Sequence, residues 1–227
     1  MQTVQDITIK ANKHSEPKPP MPFHSISPTI PKPNRHYKNN HEERRNPMLY
    51  TLMHCDIPVM DLELDEYSNI AVLGTIYHAE HLPLGTYNGI NAEKKALNRW
   101  WTKRSIPASR KGIREVLEEL ELSSPQELIE KCFGLSLSDQ YWISPTDKPL
   151  DWHRVNFFEN AFSEDIGNIL FGKGTGSDST SLVSPDNTAN GNLKKKWKII
   201  DGKRVLLKVS GAPYRQEAYN EVLASEI

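Results

Sequence analysis

The sequence has few of the features that mark secreted or membrane-bound proteins. It contains two cysteines, Cys55 and Cys132, far apart in the chain, so it holds no disulfide framework and suits a reducing compartment. It has no run of 18 apolar residues, which argues against a membrane-spanning helix. Its polar N-terminus lacks the apolar stretch of a secretory signal. We therefore expect a soluble, cytoplasmic protein with no membrane partner.

The chain also lacks an excess of charge of one sign. Its 28 Lys and Arg nearly balance 29 Asp and Glu, for a formal net charge of −1 at pH 7, so composition gives no general case for nucleic-acid binding. Hydrophobic residues make up 37% and aromatic residues 8%, which is low for a chain that folds throughout. The 227 residues predict one or two domains with a segment that does not fold.

Proline is concentrated at the start of the chain. Residues 1–47 hold 8 of the 16 prolines, 4 of the 8 histidines and few aliphatic side chains. Proline removes backbone donors and fixes φ, and little apolar burial is available here to offset the loss of chain entropy. We interpret residues 1–47 as a disordered, Pro-rich tail. A polyproline II ligand at residues 17–33 is the alternative.

Residues 48–172 show the pattern of an N-terminal α+β subdomain. Two β-branched, partly alternating runs at 57–64 and 70–77 are separated by the polar sequence DEYSN, which predicts an antiparallel hairpin. A further short strand is expected within 137–143. The five tryptophans of the chain are expected to anchor its core.

Helix signals follow the predicted hairpin. Apolar residues at helical spacing predict one helix capped by Asn91 and a second beginning near Ser109. The sequence SPQE at 124–127 is a capping box with proline at the first helical position, and that helix is expected to close at Gly134. A fourth helix is predicted over 163–171.

Residues 173–227 predict a loop, a β-hairpin and a helix. Gly, Ser, Asn and Asp dominate positions 172–192, and loops of this length in compact domains are functional or disordered. Asp201-Gly202 between two apolar runs predicts a two-residue hairpin turn. The resulting register puts Lys208 on the strand face that carries Trp197. An ammonium group there needs an anionic partner or a path to water.

The order of these elements is that of a nucleotide-binding unit. A flexible loop, a strand, a tight turn, a strand with Lys208 and a helix with Glu217 and Glu221 follow one another, as in the small lobe by which protein kinases hold ATP. The predicted fold class is therefore α+β: a small antiparallel sheet with helices, followed by a partial protein-kinase-like small lobe made of a β-hairpin and a helix.

Five segments of the sequence resemble the N-terminal half of bacterial HipA-like serine/threonine kinases, which are related to the toxin of a toxin–antitoxin pair. The resemblance covers residues 50–227 and is greatest to a Firmicutes branch sometimes labelled excisionase. The segments that carry it are SIPASRKGIREVLEEL (105–120), KCFGLSLSDQYWI (131–143), NFFENAFSEDIGNILFG (156–172), SPDNTANGNLKKKWKIIDGKRVLLK (184–208) and YNEVLAS (219–225).

The resemblance implies a set of nucleotide-binding residues. Lys208 is the implied phosphate-binding lysine and Glu221 its partner on the helix. Residues 184–197 are the implied phosphate loop, in which Gly191 and Asn192 approach the phosphates; Trp197, on the face of Lys208, is a candidate for the adenine site. ATP and Mg²⁺ are the implied cofactors, and an antitoxin and a protein substrate are the implied partners.

The resemblance further implies regulation and a missing part. HipA proteins carry a loop serine whose autophosphorylation ejects the loop, and Ser184 and Thr188 are the candidates here. The family supplies the catalytic Asp and the Mg²⁺-binding Asp and Asn beyond Glu221, and only six residues follow that position. We therefore expect a truncated chain with no catalytic residue of its own and no kinase activity above background.

DNA binding is the alternative function. The 91–122 segment has the helix–turn–helix order, with cations clustered around the turn, and an excisionase-like module would use them on phosphates. Ordinary helix packing with solvated cations is the competing explanation, favoured by the acidic far side of the second helix at 115–121. The cations concerned are Lys103, Arg104, Arg110, Lys111 and Arg114.

No metal site is predicted. His54, Cys55, His78 and His81 lack the usual zinc-ligand spacing, because only two residues separate His78 from His81. We expect structural or surface histidines. Cys132 lies on an apolar helix stripe and is expected in the core.

Overall fold

The computed structural model describes residues 7–11, 48–110, 112–172, 180–210, 216, 217 and 220, and it confirms the α+β class. Its strands are β1 (Ile7–Ala11), β2 (Met48–His54), β3 (Ile57–Leu64), β4 (Ile70–Ile76), β5 (Tyr141–Pro145), β6 (Lys195–Ile200) and β7 (Lys203–Val209). Its helices are α1 (Lys94–Arg104), α2 (Ile113–Glu119), α3 (Pro125–Lys131), α4 (Trp152–Val155) and α5 (Asp165–Phe171). Within these ranges, no helix has the length and apolar character needed to cross a bilayer.

A four-stranded antiparallel sheet forms the first half of the fold, in the order β4-β3-β2-β5. The predicted hairpin is confirmed as β3 and β4. Alternate residues of β2 and β3, such as Leu52 and Leu62, are buried beneath α1, where Leu97 and Trp101 complete the cluster. The ring nitrogen of Trp101 donates to the Ser68 carbonyl oxygen at 2.8 Å, which ties α1 to the β3–β4 turn.

Two predicted helix starts are wrong. The first helix begins at Lys94 rather than after Asn91, because a β-bridge between Tyr87 and Ala92 holds the preceding loop. The second begins at Ile113 rather than near Ser109. Its N-cap, Gly112, has a φ of +90°, which glycine adopts without strain.

The predicted start of α3 is confirmed and its end differs slightly. The Ser124 hydroxyl accepts from the Glu127 amide at 3.3 Å, and the Glu127 carboxylate accepts from the Ser123 amide at 3.1 Å. The helix ends at Lys131, and Phe133 and then Gly134 take the left-handed conformation. Gly134 is also required for packing, because a Cβ there would lie 2.9 Å from the Trp101 ring.

The remaining predictions in this half lie close to the structure. The short strand expected within 137–143 occurs slightly later, at Tyr141–Pro145. The fourth predicted helix is α5, which begins two residues later than expected and stops at Gly172 with a φ of +79°, as predicted. In addition, the four-residue helix α4 begins after Asp151, whose carboxylate accepts from the His153 amide at 2.9 Å.

A second, three-stranded sheet has the order β1-β7-β6. The β6–β7 hairpin has the predicted register, with Ile200 opposite Lys203 around the Asp201-Gly202 turn. Strand β1 pairs with β7, so the expectation of disorder is wrong for Ile7–Ala11. Its ITIKA sequence precedes the prolines and begins with three β-branched residues, and it pairs with an edge of β7 that would otherwise be open. The rest of the Pro-rich tail lies outside the described residues.

An aromatic cluster joins the two sheets. Its buried members are Trp142 of β5, Trp152 of α4, Phe157 in the loop after α4, and Trp197 of β6. The division predicted at residue 172 therefore does not separate two cores.

Candidate functional site

Two lysines face each other at the open end of the β6–β7 hairpin. Lys195 of β6 is directly opposite Lys208 of β7, and both are half-buried. The Val209 amide donates to the Lys194 carbonyl oxygen at 3.0 Å, which makes that neighbouring pair a hydrogen-bonded one. Since the two kinds of pair alternate, Lys195 and Lys208 form a non-hydrogen-bonded pair, the kind in which side chains are closest. The register therefore brings two cationic side chains together at this end of the hairpin.

Trp197 shares the face of Lys208, as predicted, but it is not open to a base. The register places Trp197 opposite Leu206, one pair along from the two lysines on the same face. Its side chain is 8% exposed and belongs to the aromatic cluster with Trp152 and Phe157. The expectation that Trp197 lines an adenine site is therefore wrong, because the cluster covers its ring.

The expected partner of Lys208 lies beyond the described residues. Glu221, and with it the predicted Lys208–Glu221 pair, falls outside them. One helical hydrogen bond is described nearby, from the Asn220 amide to the Gln216 carbonyl oxygen at 2.9 Å. The ion pair between strand and helix stays a prediction.

The first part of the expected phosphate loop is buried. Residues Pro185–Thr188 form a 3₁₀ turn, and Ser184 and Thr188 are 0% and 5% exposed. The Ser184 hydroxyl donates to Asp186 Oδ2 at 3.3 Å, and the Thr188 hydroxyl donates to the Leu135 carbonyl oxygen at 3.1 Å. Both candidate hydroxyls are therefore enclosed and hydrogen-bonded in this arrangement, and their phosphorylation stays a prediction.

Asp186 holds this buried turn against β6. It is fully buried, and its Oδ1 accepts from the Trp197 amide at 2.8 Å. Burial raises the pKa of Asp186 to about 7, although the Trp197 amide, the Ser184 hydroxyl and the nearby Lys196 and Arg110 act in the opposite direction. The carboxylate packs on Gly167 of α5, where any Cβ would clash with Oδ2.

The buried lysine of β6 also binds α5. Lys196 is 7% exposed, and its ammonium donates to Asn168 Oδ1 at 2.7 Å and to Glu164 Oε2 at 3.3 Å. One face of β6 thus bonds to the helix, while the other carries Lys195 and Trp197.

The last part of the loop reaches the surface beside Lys195. Gly191 has a φ of +100° and is half-buried, and Asn192 is exposed. The Ser109 hydroxyl donates to Asn192 Oδ1 at 3.1 Å, and the Lys195 ammonium donates to the Asn190 carbonyl oxygen. Of the predicted phosphate contacts, Gly191 therefore lies against the Lys195 ammonium, and Asn192 is bound by Ser109.

The predicted DNA-binding set is divided by the structure. Arg104 is 7% exposed; it pairs with Asp139 and donates to the Gly134 carbonyl oxygen at 2.6 Å. Arg110 is 3% exposed and donates to loop carbonyl oxygens. Both assignments to a DNA surface are wrong, because these guanidinium groups bind the protein's own backbone. Lys103 and Arg114 are exposed, and Lys111 lies outside the described residues.

The two helices of that segment do not form a helix–turn–helix unit. Helix α1 packs on β4, and its Leu97 and Trp101 belong to the core of the four-stranded sheet. Helix α2 packs on α5 through a separate cluster that includes Ile113 and Val116. A helix–turn–helix needs both helices in one packed unit, so this prediction is wrong.

The histidines and cysteines make local contacts. His54 and His81 approach through their Nδ1 atoms at 2.9 Å, and burial together with His81 lowers the pKa of His54. His78 Nδ1 lies 2.8 Å from the Pro58 carbonyl oxygen. Cys132 is fully buried in the core, as predicted, and burial raises the pKa of its thiol to about 11.

Magnesium does not fit the described part of the site. Within the described ranges, no three His, Cys, Asp or Glu side chains are grouped to hold a metal ion. Asp186, the acid nearest the hairpin strand, already accepts from the Trp197 amide and the Ser184 hydroxyl. The described residues therefore do not supply a set of ligands for Mg²⁺.

The sequence interpretation missed several residues of this region. The sequence pattern places Arg110 in the DNA-binding set, and it gives Asp186 and Lys195 no individual role within the implied phosphate loop at 184–197. Their partners lie between 11 and 81 positions away in the chain or across a strand pair, so no local motif marks them. The one local sequence feature that points to Lys195 is the run of lysines at 194–196, where the hairpin begins.

A scan against protein-family models and searches of curated proteins and of solved structures found no match for this chain.

Proposed function

We propose that the β6–β7 hairpin binds the phosphates of ATP through Lys208 and Lys195, as part of the N-terminal portion of a HipA-like serine/threonine kinase. The observation that carries the proposal is the facing lysine pair at the end of the hairpin. The order of the elements supports it, since a loop, a strand, a tight turn and a strand bearing a lysine follow one another.

The charge and rigidity of the pair suit a polyphosphate. The antiparallel ladder of β6 and β7 fixes both backbones, so little ordering remains to be done when a ligand binds. Two ammonium groups on one face can each donate charge-assisted hydrogen bonds to adjacent phosphates.

The proposal covers nucleotide binding. Phosphoryl transfer in kinases needs an Asp that orients the substrate hydroxyl and further residues that hold Mg²⁺. The family resemblance implies these groups beyond Glu221, and the described residues supply no such set.

The test is calorimetric titration of the 227-residue chain with ATP, inorganic tripolyphosphate and adenosine. Lys208→Met and Lys195→Met keep the apolar stems and remove the charges. Lys203→Met is the matched control, because Lys203 is exposed at the turn end of the same hairpin. We expect ATP and tripolyphosphate to bind, each site variant to weaken both by about tenfold or more, and the control to leave them unchanged.

Three results would contradict the proposal. They are the absence of saturable ATP binding, equal loss of binding in Lys203→Met, and tripolyphosphate affinity that does not depend on Lys208. Binding of duplex DNA that weakens steeply with salt and requires Lys103 and Arg114 would instead support the alternative function.

A further inference from the structure

Two side chains of the turn before α2, Ser109 and Arg110, form hydrogen bonds with the loop before β6. Arg110 Nε donates to the Gly191 carbonyl oxygen at 2.8 Å, and its Nη2 donates to the carbonyl oxygens of Ala189 and Gly191. The adjacent Ser109 hydroxyl donates to Asn192 at 3.1 Å. Two neighbouring side chains therefore hold three positions of a loop that lies about 80 residues further along the chain.

Burying the Arg110 guanidinium costs free energy, because the charged group loses its contact with water. Arg110 is 3% exposed, and burial lowers the pKa of its guanidinium to about 10, with Asp186 acting in the opposite direction. Its Nη1 is buried and has no hydrogen-bond partner among the described residues. In some proteins a buried charge of this kind specifies one arrangement of the chain.

The loop that Arg110 binds also accepts a hydrogen bond from Lys195. The Lys195 ammonium donates to the Asn190 carbonyl oxygen, which lies between the two carbonyl groups that Arg110 binds. A Cβ at Gly191 would come 2.8 Å from the Lys195 Nζ atom, so the ammonium rests on the glycine. A continuous series of contacts thus runs from Arg110 through the loop to Lys195.

We propose that Ser109 and Arg110 clamp residues 189–192, and that Arg110 is the positioning residue that sets Lys195 for a polyphosphate. The second part rests on the proposed function. The first part concerns the fold and stands without it.

Hydrogen exchange tests the clamp. Arg110→Lys keeps a positive charge but cannot form the forked contact, and Arg114→Lys is the exposed control four residues away. We expect amide exchange in peptides spanning 187–196 to become about tenfold faster in Arg110→Lys, with exchange in β2 and β3 unchanged. Ser109→Ala, which removes only the hydroxyl contact with Asn192, should give a smaller increase in the same peptides. If Arg110→Lys fails to fold, Ser109→Ala decides the question.

A binding cycle tests the positioning role. Arg110→Lys should raise the Kd for tripolyphosphate about tenfold in the wild-type background, and should have little further effect in a Lys195→Met background. A purely structural role would weaken binding equally in both backgrounds.

Each outcome has one meaning. Unchanged exchange in 187–196, or an equal rise throughout the chain, would overturn the clamp. Faster local exchange with an unaltered Kd would overturn the positioning role. If the wild-type chain binds no polyphosphate, the proposed function and the positioning role both fail, while the exchange data still decide whether the clamp exists.

Discussion

At the scale of single residues, buried ionisable side chains make the contacts that join β6, α5 and the loop before β6. Asp186, Lys196 and Arg110 are each more than nine-tenths buried, and each bonds to a different element: β6, α5 and the loop. Removing water from charged groups is costly unless partners replace it. Each of these groups has such partners, so removing a partner would leave a polar group buried without its hydrogen bond.

Asp186 should make the stability of the protein depend on pH. The folded protein holds this proton up to about pH 7, while the unfolded chain releases it near 3.8. Asp186 therefore makes the free energy of unfolding fall as pH rises from about 4 to 7, by up to about 1.4 kcal/mol per pH unit. We expect Asp186→Asn to remove this fall in urea unfolding measured from pH 5 to 8. The exposed Asp147→Asn should keep the wild-type profile, and parallel profiles for all three proteins would contradict the prediction.

At the scale of elements, helix ends and turns follow short-range chemistry. The Ser124 cap on α3 and the Asp201-Gly202 turn between β6 and β7 each need contacts within a few residues. Asp201 and Gly202 have φ values of +50° and +75°, and a two-residue hairpin turn of type I′ requires positive φ at both of these positions. These elements form where predicted because their main determinants are local.

The contribution of the Ser124 cap to the free energy of unfolding should be measurable with a single substitution. Ser124→Ala removes the acceptor for the Glu127 amide, so it should lower the free energy of unfolding by about 1 kcal/mol. Ser123→Ala is the control, because that side chain is exposed and only its backbone amide serves the capping box. Equal urea midpoints for Ser124→Ala and wild type would show that the cap contributes nothing.

At the scale of the whole molecule, the two sheets share one aromatic core. Trp142 belongs to the four-stranded sheet and Trp197 to the three-stranded one, and both are buried in the same cluster. Neither sheet can lose its packing without exposing aromatic surface of the other. The hairpin proposed to bind nucleotide is therefore anchored to the rest of the chain.

We expect the described fold to unfold as one cooperative unit. Urea transitions followed by tryptophan fluorescence and by far-UV circular dichroism should coincide. Trp197→Ala should lower the free energy of unfolding by about 3–5 kcal/mol and keep a single transition, because it removes a large side chain from the shared cluster. Two separate transitions in the wild-type protein would contradict the shared core.

Four features follow from local sequence patterns: the α+β class, the hairpin register that puts Lys208 on the face of Trp197, the cap of α3 and the glycine that ends α5. These features depend on strand alternation and on contacts between near neighbours, which a one-dimensional pattern records. The same reasoning placed Asn91 at a helix start, because it could not register the Tyr87–Ala92 bridge.

The positions of the buried charges and the enclosure of the loop before β6 depend on contacts between segments far apart in the chain. Arg104 and Arg110 have the sequence pattern of surface cations, yet their acceptors are carbonyl groups 30 to 81 positions away. Strand β1 and the facing lysines likewise depend on pairing between distant or opposite residues. Whether a charge is solvated or buried is fixed by which segments pack around it, and that packing is a property of the folded chain.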